Sequence, residues 1–250
     1  MSGHSKWSTI KRRKGAADAR RGQLFARLIR AIEIAAREGG SDAEANPTLA
    51  DAIQRARDNS VPKDTIERAV KRGSGAVEGA YDAVHYEGYA PGGVAVLVEC
   101  FTDNRNRTAA DVRSIFTRHG GGLADPGSVS YLFDRRGQVV VGRDGATEDA
   151  LLVAGLDSGL DDVEEQEDHF VAWCDPSEVR ELRRAFEAKG LLVRDASSTM
   201  VPSATIPVTD PAVARRVVRL LDALDDHGDV QEFHSNVDIP DDLIEKLAEE

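Results

Sequence analysis

Nine of the first thirty residues of this 250-residue chain are basic and one is acidic. Lys6, Lys11, Arg12, Arg13, Lys14, Arg20 and Arg21 lie in a stretch too poor in large apolar residues to bury a helix face, and Arg27 and Arg30 extend the charge onto the helix that follows. Clustered ammonium and guanidinium groups suit the phosphates of a polyanion, because each contact releases a condensed counterion. Trp7 sits among them, where its ring either stacks on an unpaired base or folds back onto the helices. Together these ten residues are the candidate nucleic-acid-binding set. If about half of the cations engage, log affinity falls against log salt with a slope of about −4.

The formal net charge of −12 conceals this concentration. Residues 1–80 hold 16 basic against 10 acidic side chains, and residues 81–250 hold 16 against 34. One end attracts phosphate while the remainder repels it, which orients a docked polyanion. A secondary candidate is Thr102–Thr108, placed between a buried strand and a helix start, where free backbone donors favour an anion and Arg105, Arg107 and Arg113 add charge. Ordinary helix capping by Asn, Asp and Thr accounts for the same residues.

Other chemistries lack their signatures. There is no phosphate-binding P-loop, no nucleophile elbow and no H-E-x-x-H pair, and the six histidines are scattered. The acidic stretch from Asp157 to Asp168 lacks the glycine and spacing of a calcium loop. Tyr86–Gly93 surrounds a glycine-rich backbone with two tyrosines and a carboxylate, and is expected to be a plain turn. Cys100 and Cys174 have no partner at metal-ligand spacing and read as buried reduced thiols. No enzymatic activity, catalytic residue, metal, cofactor or small-molecule substrate is expected. Without an apolar run of membrane-spanning length or a signal-peptide core, the expected location is the cytoplasm and no membrane partner is expected.

The elements that would position these residues follow from periodicity. A mobile arm is expected over residues 2–22, then a helix from Gln23 with Leu24, Leu28, Ile32 and Ala35 on one face, ended by Gly39 and Gly40. Asn46 and Pro47 open a second helix to about Asn59; Pro62 and Asp64 open a third, stopped by Gly73 at the start of a linker. Strands are expected at 94–101 and 129–133, separated by a helix opened by a Thr108–Asp111 capping box. From Gln138 to Val201 the order is β-α-β-β-α-β, the ferredoxin-like arrangement. A further β-α-β unit at 204–235 completes a second such set with the elements at 94–133.

The class is therefore α+β with three domains. Residues 1–80 form a basic arm and three-helix bundle; residues 81–134 and 202–250 form a split α/β domain; residues 135–201 form a ferredoxin-like domain inserted into it. Asp134–Gly137 and Val201–Ser203 would be the linkers.

Several segments carry a resemblance. They are Gly3-His4-Ser5-Lys6-Trp7 with Ile10-Lys11, Tyr86-Glu87-Gly88-Tyr89, Pro91-Gly92-Gly93-Val94-Ala95, Thr102-Asp103-Asn104 with Asn106-Arg107-Thr108, and Gly127-Ser128-Val129. Through them the chain resembles the YebC/PmpR family over nearly its whole length. The resemblance implies a three-domain α and α/β architecture without known enzymatic activity. It also implies one of two roles: a DNA-binding transcriptional regulator, or a factor bound to ribosomal RNA on the ribosome that helps translation through proline-rich stretches. Ala90 replaces a usual glycine, and Leu123-Ala124-Asp125 replaces a usual Leu-Gly pair.

Overall fold

The computed structural model describes residues 17–75 and 81–248. The first helix, α1, spans Ala17–Gly39, so residues 17–22 are helical where an arm is expected and Gly22 lies inside the helix. Leu28, Ile32, Ala35 and Ala36 are buried along it, whereas Leu24 is exposed. Helix α2 is Pro47–Asp58, and the Asn46 side chain caps it by accepting from the Leu49 N–H at 3.1 Å. Its amide also donates to the carbonyls of Ala35 and Gly40, fastening the end of α1 to the start of α2.

Helix α3 is Lys63–Ser74, and Gly73 belongs to it instead of stopping it. A Cβ at Gly73 would lie 2.2 Å from the Glu33 carbonyl oxygen, so this glycine lets α1 and α3 cross closely. Residues 76–80 of the expected linker lie outside the described residues.

The described chain divides into two compact units. One takes in the residues up to Ile53, Val61–Asp134 and Val201 onward; the other takes in Gln54–Ser60 and Arg135–Met200.

The sheet of the first unit begins with a hairpin. Strands β1 (Asp82–Ala90) and β2 (Val94–Thr102) pair antiparallel from Asp82↔Thr102 to Ala90↔Val94 across the Pro91–Gly93 turn. Only Pro91–Gly93 of the Tyr86–Gly93 segment is therefore a turn, and Tyr86–Ala90 is strand. Helix α4 follows at Arg105–Arg118, capped by Asn104, which accepts from the Arg107 N–H. The expected Thr108–Asp111 box is thus displaced by one turn. Strand β3 is Gly122–Leu123.

Residues 129–133 do not form the expected strand. Ser130–Leu132 is a 3-10 turn leading into β4, Phe133–Gly142. Later come β8 (Ile206–Pro207), α7 (Pro211–Asp225), β9 (Val230–Ser235), β10 (Val237–Asp238) and α8 (Asp241–Ala248). The sheet order is β3-β1-β2-β9, and β8 pairs instead with β10 in a separate parallel ladder. This is the strand order of a ferredoxin-like sheet, with two places filled differently: β1, upstream of β2, occupies the slot expected for a strand at 204–208, and β3 the slot expected for a strand at 129–133. Strand β2 is central and buried almost throughout, and Phe116, Val217, Leu220, Leu221 and Leu224 from α4 and α7 cover it. Each such large side chain contributes roughly 1.5–3 kcal/mol through burial.

The second unit is β4, α5 (Glu148–Gly155), β5 (Leu160–Glu165), β6 (His169–Cys174), α6 (Val179–Ala188) and β7 (Val193–Pro202). Its sheet order β5-β6-β4-β7 is the ferredoxin-like one. Asp134–Gly137, expected as a linker, is part of strand β4, with Gly137 paired to Cys174. Cys174 and Cys100 are both buried, which pushes their thiols up to about 11 and about 12.

Candidate nucleic-acid interface

Lys6, Trp7, Lys11, Arg12, Arg13 and Lys14 lie outside the described residues. Arg20 and Arg21 fall on the first turns of α1. Further along this helix the cations turn inward. Arg27 Nη1 pairs with Asp225 Oδ1 at 2.9 Å, its Nη2 donates to the Asp225 carbonyl, and both side chains are largely buried. Arg30 donates to the Gly228 carbonyl and lies over the Tyr81 ring, 5.1 Å from its centroid. Gln231 adds a bond to the Arg27 carbonyl at 3.2 Å. In this arrangement Arg27 and Arg30 fasten α1 to the corner between α7 and β9.

The Thr102–Thr108 segment is likewise satisfied from within. Asp229, buried just before β9, accepts at Oδ2 from Thr108 at 2.7 Å, Arg107 at 2.9 Å and Thr102 at 3.3 Å. Arg107 also meets Asp103 at 2.7 Å, and Arg105 meets Asp82 at 3.0 Å. Burial raises the Asp229 carboxyl, but the bonds from Arg107 and Thr108 and the Arg107 charge outweigh it and hold the group below the usual carboxylate range. His227 completes the corner: its Nδ1 accepts from the Asp229 N–H at 3.2 Å, leaving Nε2 to face Asp111 at 3.4 Å. Of the three secondary arginines, Arg105 and Arg107 are ion-paired and Arg113 is exposed.

The tyrosine-rich segment has a comparable internal role. Successive strand residues point to opposite faces, so Tyr86 and Gly88 face α4 while Glu87 and Tyr89 face the other way. Glu87 accepts from the N–H groups of Gly127 at 2.8 Å, Val129 at 2.6 Å and Ser130 at 3.0 Å. Its own carbonyl accepts from the Ala124 N–H, and the Tyr89 hydroxyl donates to the Ser128 carbonyl at 2.8 Å. Burial raises Glu87, and the three backbone donors more than reverse that, leaving its carboxyl below the usual range. Glu87 therefore writes the path of the 124–130 loop. Two residues with such roles, Asp225 and Asp229, escaped the sequence reading; the only local signal was their setting in Asp225-Asp226-His227-Gly228-Asp229.

Among the described residues, no helix is long and apolar enough to cross a membrane. Comparison with known proteins places these features in a common frame. A probable transcriptional regulatory protein of Thermobifida fusca is 53% identical over 250 residues, covering 99% of this chain and all of that one. A counterpart of the same description from Desulfotalea psychrophila is 51% identical over the full length of both. The crystal structure of a conserved hypothetical protein, Aq1575, from Aquifex aeolicus superposes with a TM-score of 0.83 at 43% identity, covering 90% of this chain and 93% of that one. The family models for the TACO1/YebC N-terminal domain and for the TACO1/YebC second and third domain match residues 5–76 and 81–237, and the chain belongs to the TACO1/YebC family.

Proposed function

We propose that this protein is a non-enzymatic, cytoplasmic regulator of gene expression that binds nucleic acid through its N-terminal basic segment, with duplex DNA as its first target. The observation that carries this reading is the charge distribution: nine basic residues and one acidic among residues 1–30, against 34 acidic and 16 basic over residues 81–250. The names of the relatives from T. fusca and D. psychrophila support a regulatory role. The described polar motifs fit a scaffold: Glu87, Asp103, Arg105 and Arg107 are engaged with other parts of the chain.

A second reading is a translation factor bound to ribosomal RNA. Trp7 favours it, because an aromatic ring among cations suits the splayed bases of folded RNA. Cosedimentation with ribosomes at several salt concentrations, run beside binding to duplex DNA, separates the two. Tight DNA binding without ribosome association supports the first; ribosome association with weak DNA affinity establishes the second. In either case, reversing Arg12, Arg13 and Lys14 to Glu is expected to weaken binding at least about tenfold and flatten the salt slope by about 2–3. The same variant is expected to change stability by less than about 0.5 kcal/mol, read as a thermal midpoint. Unchanged affinity in it would overturn the assignment to this segment.

A further inference from the structure

One group of cations in the acidic split domain has no internal neutralisation. Arg27, Arg105 and Arg107 each lie within 3.0 Å of a carboxylate. Arg118, Arg216 and Arg219 are exposed, and among the described residues none of them is within ion-pair reach of one. Arg118 closes α4, with its Nε on the Ser114 carbonyl at 3.3 Å. Arg216 and Arg219 stand three residues apart on α7, opposite the face buried through Val217, Val218, Leu220, Leu221 and Leu224.

Three observations bring the two helices' cations to one place. Helices α4 and α7 pack on each other. His119 lies beside both Arg118 and Arg219, close enough that burial and their charges hold its imidazole below the usual value. A Cβ at Gly120 would come within 3.5 Å of Arg216 Nη1. Gly120, Gly121 and Gly122 add no side chains beside these arginines, and the space over Gly122 is open. Like charges gathered on one surface repel by a few tenths of a kcal/mol per neighbouring pair. On a domain otherwise this acidic they make a local positive surface, which suits an anionic partner.

We propose that Arg118, Arg216 and Arg219, gathered around the Gly120–Gly122 turn, form a second phosphodiester-binding patch, separate from the N-terminal segment. The inference rests on the nucleic-acid reading above and adds to it a contact on the split domain. A backbone crossing this patch meets arginines with no described carboxylate within ion-pair reach, and recognition there is of phosphate, not of base sequence.

The test uses the full chain and two fluorescent probes, a 20-base-pair DNA duplex and a 20-nucleotide single-stranded RNA, with anisotropy read at several salt concentrations. The patch variant Arg216→Glu/Arg219→Glu is compared with Arg135→Glu/Lys189→Glu, which changes net charge equally at exposed positions elsewhere. The patch variant is expected to bind about tenfold more weakly than this control, with a salt slope flatter by about 1.4–1.8. The probe with the larger loss identifies the nucleic acid that the patch meets. Should the reversal impair folding, Arg216→Gln/Arg219→Gln is expected to lose about threefold and Arg216→Lys/Arg219→Lys to bind like the parent. Patch and control variants binding alike, or glutamines binding like the parent, would overturn the patch while leaving the function proposed above intact. A parent chain that binds neither probe would overturn both.

Discussion

Glu87 and Asp229 are two carboxylates held below their ordinary range by opposite means. Glu87 is fed by three backbone N–H groups of one loop, whereas Asp229 is fed by the side chains of Thr102, Thr108 and Arg107. A backbone-fed carboxylate fixes a path and is largely indifferent to the side chains along it. A side-chain-fed one requires particular residues at particular spacings. The Thr102–Thr108 motif therefore records a structural partner about 120 residues further along the chain, and this accounts for its threonines and for Arg107 without any ligand.

The contrast is broken most directly at Asp229. Asp229→Ala removes the acceptor shared by two buried threonine hydroxyls and one of the two carboxylates on Arg107, and is expected to cost about 3 kcal/mol, read as a lower urea midpoint at unchanged slope. Glu87→Gln retains one accepting oxygen and replaces the other with a donor facing N–H groups. A loss of about 1–2 kcal/mol is expected, with faster amide exchange at Gly127, Val129 and Ser130. Equal losses in the two variants, or loop exchange unchanged in the second, would remove the distinction.

Acid sharpens it. Both groups have folded pKa values below their unfolded ones, so their stabilisation is fully present above the ordinary carboxylate range and is lost as pH falls through the depressed values. Urea unfolding measured between about pH 2 and 6 is expected to show stability falling at the acid end, with a shallower fall in either variant. The smallest effect belongs to Arg113→Gln, an exposed position, at under about 0.5 kcal/mol.

Much of the fold was legible where one periodic signal sufficed. The inserted unit's β-α-β-β-α-β element order was expected from residues 138–201, because its strands and helices repeat cleanly at their own periods. Strand β1 was not, since Glu87, Gly88 and the flanking tyrosines read as a loop. At Gly88 a Cβ would come 2.6 Å from the Phe116 ring, a demand set by a helix that lies further along the chain. The start of α4 was misread for a similar reason: Thr108 looks like a cap, yet it is buried to serve Asp229, while Asn104 does the capping. In the candidate interface, the clustering of basic residues was visible, but the carboxylates that claim Arg27, Arg105 and Arg107 lie 198, 23 and 122 residues away. Local reading registers charge and cannot see its distant neutralisation.

The joint around the inserted unit has its own consequence. Ser203 donates its N–H to the Leu132 carbonyl at 2.9 Å and its hydroxyl to Asp134 at 3.0 Å, so the outgoing and returning strands are laced together at the threshold. Closure entropy grows only slowly with the number of residues enclosed, which makes the length of the excursion nearly immaterial to the parent sheet. A change in the number of residues beyond that lacing therefore costs the sheet that carries it little closure entropy.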